Sequence, residues 1–310
     1  MQRLLIVGCG DIGLRTAALL LGRYRLFGLL HDASRAAVLR ARGIIPIPGD
    51  LDRPDTLRRL AGMADIVLHF APPRISPYVG RIAAGGVQGP ELCDVRTAGL
   101  LANLAKGKSL PRCLIYISTS GVYGDCAGAS VAETRAIAPI TGRARRRADA
   151  ERRLRKWGHD SGVVVSILRV PGIYAAERLP IARLQARTPA LIAVDDVHSN
   201  HIHADDLARI VVAAIRYAKR GRIYNASDDS HLKMGDYFDL VADRFGLARS
   251  SRIPRAAAAN ELPPGLLSFM SESRRLCNAR MKRELRVRLA YPTVVEGLAA
   301  IKTGLATSSL

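Results

Sequence analysis

Residues 3–13 read RLLIVGCGDIG: an apolar run that breaks at a glycine-rich turn, with an acid just beyond it. The run predicts a strand over 3–8, and DIGLRTAALLLG predicts a helix over 11–22. Between them, Gly8-Cys9-Gly10-Asp11-Ile12-Gly13 fits G-x-G-x-x-G. The motif is weak alone, but here it follows an apolar strand and opens a helix. Gly8 permits the tight turn, Gly10 lets backbone approach a pyrophosphate, and Gly13 allows close helix–sheet packing. The helix N-terminus then offers free N–H groups and a partial positive charge to phosphate.

The same alternation continues outward. Strands are expected at 24–30, 44–48, 65–70, 113–118 and 163–170. Helices are expected from Ser34 to Arg42, near 54–61, near 91–106, and from Thr141 to about His159. Apolar strands alternating with helices predict a parallel sheet covered on both faces, hence an α/β, Rossmann-type doubly wound fold. Beyond Pro171 the alternation breaks down, although residues 203–226 read as a helix and strand returning to the sheet. This divides the chain into a dinucleotide-binding domain, 1–174 plus 201–227, and a smaller substrate-covering lobe, 175–200 plus 228–310.

The 310 residues are 48% hydrophobic and 24% charged, an ordinary globular composition with length for a large core. No apolar run approaches the ~18 residues of a membrane span. The short apolar start reads as a strand rather than a secretory signal, and the protein as cytoplasmic. Five irregularly spaced cysteines with no Cys-x-x-Cys argue against zinc and against a disulfide framework. The net charge of +20 draws anions: phosphorylated substrates, NADP or nucleic acid. The basic residues are spread along the whole chain, as a solvated surface would be, and at 5% aromatics the chain is poorly suited to stacking single strands.

Six stretches in order carry a resemblance: the glycine loop, LHFAPP at 68–73, ISTSGVYG at 117–124, LRVPGIY at 168–174, HIHADDLA at 201–208 and IYNASDD at 223–229. The chain resembles an atypical extended short-chain dehydrogenase/reductase, of the NAD(P)-dependent epimerase/dehydratase group. The resemblance implies hydride transfer with a nicotinamide cofactor. It places Asp50 and Leu51 at the adenine, Ala71 and Pro72 under the cofactor, and Pro171 and Ile173 beside it, with Tyr174 near the nicotinamide. At the end of the second strand an acid selects NAD and an arginine NADP. Here His31 holds that position, Asp32 favours NAD, and Ser34 and Arg35 favour NADP. NADP is the preferred reading and NAD remains open.

Relatives also use a Ser/Thr hydroxyl, matched by Thr119, and a Tyr-x-x-x-Lys pair on a helix. The interval from Tyr123 and the Ala150-Glu151 pair that follows place that pair at Arg143 and Arg147. Positions 143, 147, 150, 154 and 157 share one helical stripe with Ala150, Leu154 and Trp157, so the stripe faces inward. Arginine cannot pass a proton near neutral pH but can hold an anion. Arg143 and Arg147 are therefore expected to bind an anionic substrate group or Asp94. The bland alternative is a solvated basic helix, since 8 of the 14 residues from Arg143 to Lys156 are basic. Tyr123 is a further candidate acid. His201 and His203 are expected to face opposite ways, which argues against a metal, with His203 capping the next helix.

Three readings follow. The first is an NAD(P)-dependent oxidoreductase or epimerase acting on an anionic small molecule. The second is a non-catalytic NAD(P)-binding regulatory module, and the third a nucleic-acid-binding derivative of the fold, for which no base-reading motif is present. Relatives often dimerise through the helices near 91–106 and 141–159. Eight basic residues on the second would repel across a twofold axis, so a monomer and a homodimer both stay open.

Overall fold

A computed structural model describes residues 1–74, 92–262 and 264–302. Its strands are β1 (Arg3–Val7), β2 (Arg25–Leu30), β3 (Ile45–Pro48), β4 (Ile66–His69), β5 (Cys113–Thr119), β6 (Ser130–Val131), β7 (Val164–Val170), β8 (Gly172–Tyr174), β9 (Ala190–Leu191), β10 (His201–His203), β11 (Ile223–Asn225), β12 (Arg252–Ile253) and β13 (Arg275–Leu276). Seven of them form one sheet in the order β11-β7-β5-β4-β1-β2-β3, every neighbouring pair parallel. The order reverses at β1, so a crevice opens between the loops that leave β1 and β4. In open parallel sheets that switch point is where ligands bind.

The helices are α1 (Asp11–Leu20), α2 (Ala36–Ala41), α3 (Val95–Leu104), α4 (Gly142–Ser161), α5 (Ile181–Gln185), α6 (Ala204–Tyr217), α7 (Met234–Phe245), α8 (Arg255–Glu261), α9 (Pro264–Phe269), α10 (Ala279–Leu285) and α11 (Val294–Ala300). On one sheet face Leu4, Ile6, Leu68 and Ile115 pack with Leu207, Ile210 and Val211 of α6. On the other, Leu5, Val67, Leu114 and Tyr116 pack with Leu100 and Leu104 of α3 and Ala150 and Leu154 of α4. Strands buried on both faces explain why the strand segments read as continuous apolar runs.

Some elements differ from expectation. The helix expected near 54–61 is a 3-10 helix, Pro54–Leu60. The one expected from Ser34 begins as a 3-10 turn, Ala33–Arg35, before α2. A third core joins Leu184, Leu191, Tyr237, Val241 and Leu298 of the region assigned to the lobe with Tyr174, the last residue assigned to the first domain. Within that region, however, Met281, Leu285 and Val287 pack into the core under α6. Their apolar spacing carries no mark of which core they join. Residue 91, the start expected for α3, and residues 303–310 of the expected lobe lie outside the described residues.

Candidate active site

The glycine loop is shaped by the loop beneath it. Gly8 has φ +103°, and a Cβ there would lie 2.6 Å from the Ala71 nitrogen. A side chain would thus collide with the turn leaving β4. A Cβ on Gly13 would lie 2.6 Å from the Gly8 carbonyl oxygen, so α1 starts pressed against the loop. Gly10 faces open space, and as N-cap of α1 it makes no side-chain cap bond, leaving the first-turn N–H groups for a ligand.

A cleft of about 510 Å³ lies over this loop. Of the expected cofactor residues, Gly8, Gly10, Asp11, Ile12, Gly13, His31, Arg35, Asp50, Leu51, Ala71, Pro72 and Ile173 all line it. Arg35 reaches across the loop, its Nη2 donating to the Cys9 carbonyl oxygen at 3.1 Å. Asp32 points elsewhere. Its Oδ1 accepts from Ser34 N and Ser34 Oγ, capping the 3-10 turn, and it is not part of the cleft lining. Those two bonds hold its carboxyl below the usual carboxylate range. Asp50 steadies its corner by accepting from Asp52 N.

A second cleft, also about 510 Å³, adjoins the first; Ile173 and Arg178 line both. Thr119, Arg143, Tyr174, His198, His201 and Phe269 are among its walls. Pro171 lines this second cleft, two residues before Ile173, which lines both. Thr119 Oγ1 accepts from Gly121 N at 3.2 Å, which fixes the hydroxyl at the end of β5.

Thr141 caps α4, its Oγ1 accepting from Ala144 N at 3.1 Å. Arg147 lines the first cleft, with Nη1 donating to the Tyr116 hydroxyl at 3.0 Å and the Ile117 carbonyl at 2.7 Å. Arg143 lines the second and lies over the Phe269 ring, 4.2 Å from its centroid. Burial lowers the pKa of Arg143 somewhat, partly offset by Glu272. The inward stripe holds for Ala150 and Leu154, while Arg143 is more exposed and forms the rim. No tyrosine occurs on α4.

Three expected site residues serve elsewhere. Asp94 is buried as the N-cap of α3: its carboxylate accepts from Arg96 N, Thr97 N and Thr97 Oγ1, so it is neither a substrate ligand nor the partner of the two arginines. Tyr123 is buried under Arg169 and donates to Asn225 Oδ1 at 2.8 Å, outside both clefts; its pKa is raised by burial. It therefore tethers the loop after β5 to β11 and is no acid for this site. Tyr174 does line the second cleft, but its hydroxyl donates to the Thr293 carbonyl and burial raises its pKa.

His201 and His203 do not face opposite ways. Residues two apart on a strand share a face, and both rings meet Tyr174 edge-on, at 6.3 and 5.2 Å. His203 Nδ1 accepts from Asp205 N, as expected for the cap of α6.

Two positions carried no mark in the sequence pattern. Arg96 lines the first cleft and is held by a two-pronged pair with Asp52, at 2.8 and 2.6 Å. Arg178 lines both clefts, with Nε donating to Asp11 Oδ2 at 2.8 Å. Asp11 is also bound by Arg15 at 2.6 Å, which in turn reaches Asp205 at 2.6 Å and Glu177. Asp11 in the glycine loop thus pairs with two cations, one of them shared with Asp205 and Glu177. Arg178 follows closely on LRVPGIY, the one sequence cue for its place.

A seven-stranded parallel sheet with a glycine loop at its switch point and a second cleft beside it defines a Rossmann-type dinucleotide-binding protein. The chain belongs to the NAD dependent epimerase/dehydratase family, whose profile matches residues 4–227. A functionally unknown conserved protein from Silicibacter pomeroyi is 27% identical over 97% of this chain and 98% of its own, with TM-score 0.78. UDP-glucuronic acid 4-epimerase from Bacillus cereus, solved with UDP-glucuronic acid and NAD, is 19% identical over 96% and 97%, with TM-score 0.73. UDP-glucose 4-epimerase from Thermotoga maritima, solved with UDP-glucose, is 16% identical over 96% of each chain, with TM-score 0.73. At these identities the two epimerases speak for the fold alone. No curated protein matches the chain. Among the described residues no helix is long and apolar enough to cross a membrane.

Proposed function

We propose that the protein is an NADP-preferring oxidoreductase or epimerase acting on a small anionic substrate. The observation that carries this reading is the junction of the two clefts at Ile173 and Arg178, with Arg147 on one side and Arg143 on the other. The open Gly10 backbone and the free first turn of α1 fit a pyrophosphate. Arg35, over the loop at the end of β2, suits the 2′-phosphate, and Asp32, the acid that would favour NAD, is spent as a cap. When bound, the dinucleotide would supply hydride transfer.

The chain's own part is binding and charge. Arg147, anchored on Tyr116 and Ile117, has the remainder of its fork for ribose hydroxyls. Thr119 Oγ1 steadies a substrate oxygen, and Arg143 pairs with a carboxylate, a phosphate or a developing oxyanion. The UDP-glucuronic acid held by the Bacillus cereus epimerase makes nucleotide sugars with an acidic group the first class to screen. Arg143 acts by charge and not by proton transfer.

The test is calorimetric titration with NADPH, NADP, NADH and NAD, on the wild type and Arg35→Ala. NADPH should bind at least about tenfold tighter than NADH, and Arg35→Ala should remove most of that margin. Failure of all four to bind would reject the reading. A second reading, a cofactor-sensing module without turnover, is favoured by the absence of tyrosine from α4. Tight NADPH binding with no oxidation across an anionic-substrate screen would support that one instead.

A further inference from the structure

A further cavity of the molecule is not part of either cleft. It is a groove of about 1000 Å³ between α4, the segment 133–137 and the β7–β11 edge of the sheet, and it shares no lining residue with the other two. Seven arginines line it against two glutamates. The glutamates are already committed: Glu133 to Arg280 at 3.5 Å, and Glu151 to Ser118 and Arg169. Arg135 and Arg155 have no acidic partner among the described residues, and Arg220 donates only to the Gly158 and His159 carbonyls. Three guanidinium groups therefore stand around the groove without a counter-charge.

The floor adds an independent observation. Arg169 is 3% exposed, and while its Nε and Nη2 grip Glu151, its Nη1 has no hydrogen-bond partner among the described residues. Its guanidinium also lies over the Tyr123 ring, 4.6 Å from the centroid, so a fixed buried cation stands beneath the groove. Beside it the wall is apolar, made by Val163, Val165, Ile137 and Ile223. Cations around an apolar wall suit a molecule with phosphates at one end and a flat, weakly polar body at the other.

We propose that this groove is a second anion site that binds a nucleoside polyphosphate, separate from the dinucleotide cleft. Arg135, Arg155 and Arg220 hold the phosphates. The site reaches the active site through a short chain of contacts. Arg169 holds Glu151 at 2.7 Å, and Glu151 accepts from Ser118, the neighbour of Thr119, at 2.5 Å. Glu151 also lies one helical turn beyond Arg147. The bounded volume of about 1000 Å³ suits one compact polyanion better than a long strand.

The test is calorimetric titration of the full chain with ATP, on the wild type and on an Arg155→Ala, Arg220→Ala double variant. Both side chains are exposed, and circular dichroism verifies that the variant is folded. ATP should bind the wild type, should keep its affinity when NADPH is present in excess, and should lose about tenfold or more in the double variant. Arg135→Ala, on a separate segment, should lower the affinity as well. Displacement of ATP by NADPH would overturn the proposal by placing ATP in the dinucleotide cleft. So would no ATP binding, unchanged affinity in both variants, or a single-stranded RNA oligonucleotide that binds more tightly than ATP and is lost in the same variants.

Discussion

Asp228 lies just beyond β11, its backbone N–H donating to the His201 carbonyl at 2.8 Å, and is 3% exposed. Its Oδ1 accepts from Ser230 N at 2.9 Å, and its Oδ2 has no hydrogen-bond partner among the described residues. Burial outweighs the Ser230 bonds and carries its pKa from an ordinary 3.8 to about 7. An acid whose folded pKa lies above its unfolded one holds its proton more tightly when folded. It therefore costs stability as pH rises from about 4 to about 7. At 1.36 kcal/mol for each pH unit, the cost by about pH 8 is about 4 kcal/mol. Asp228→Asn keeps the Oδ1 acceptor and cannot ionise. In urea unfolding, the variant and the wild type should be close near pH 4, and the variant more stable by several kcal/mol near pH 8. His201 slopes the other way: burial lowers its pKa from 6.5 to about 4, so its contribution is lost as pH falls through that range. That slope is common to both proteins and drops out of their difference. A gap of the same size at both pH values would refute the argument.

Glu151→Gln should cost about 3–5 kcal/mol in the same assay, because Arg169 would be left buried beside an uncharged partner; a loss below about 1 kcal/mol would mean the pair carries no such strain. Gly8→Ala puts a Cβ into the turn after β4 at a φ that L-residues avoid. It should destabilise by about 1–3 kcal/mol and weaken NADPH binding more than about tenfold, read by calorimetry. Arg147→Ala strips the partner from the buried Tyr116 hydroxyl, at about 1–3 kcal/mol. It should also weaken all four dinucleotides alike, since it acts at the shared ribose, whereas Arg35→Ala should act on the phosphorylated pair alone.

The parts that were legible in the sequence are those specified by neighbours along the chain. The glycine loop, the apolar strands and the stripe through Ala150 and Leu154 are local patterns, and Arg147 and Arg143 of the same helix line the first and the second cleft. What escaped depends on distant partners. Tyr123 is claimed by Asn225, 102 residues away, and nothing near either residue announces it. Asp94, expected to meet the substrate or the two arginines, is instead the cap of α3, bonded to its Arg96 and Thr97 neighbours. Asp32 is the same case at the end of β2, where Ser34 captures the carboxylate. Arg178 acts at Asp11, 167 residues earlier. The two histidines of β10 were legible but misread, since their spacing already places them on one face.

Asp11 puts a negative charge where the phosphate loop should be welcoming. Its counter-charge comes partly from Arg15 one turn along and partly from Arg178, beyond the seventh strand. The first thirty residues therefore make a dinucleotide loop in shape, but its charge is completed by the second half of the chain. The charge around the glycine loop is thus assembled from both halves of the chain, by the same segment that borders the second cleft.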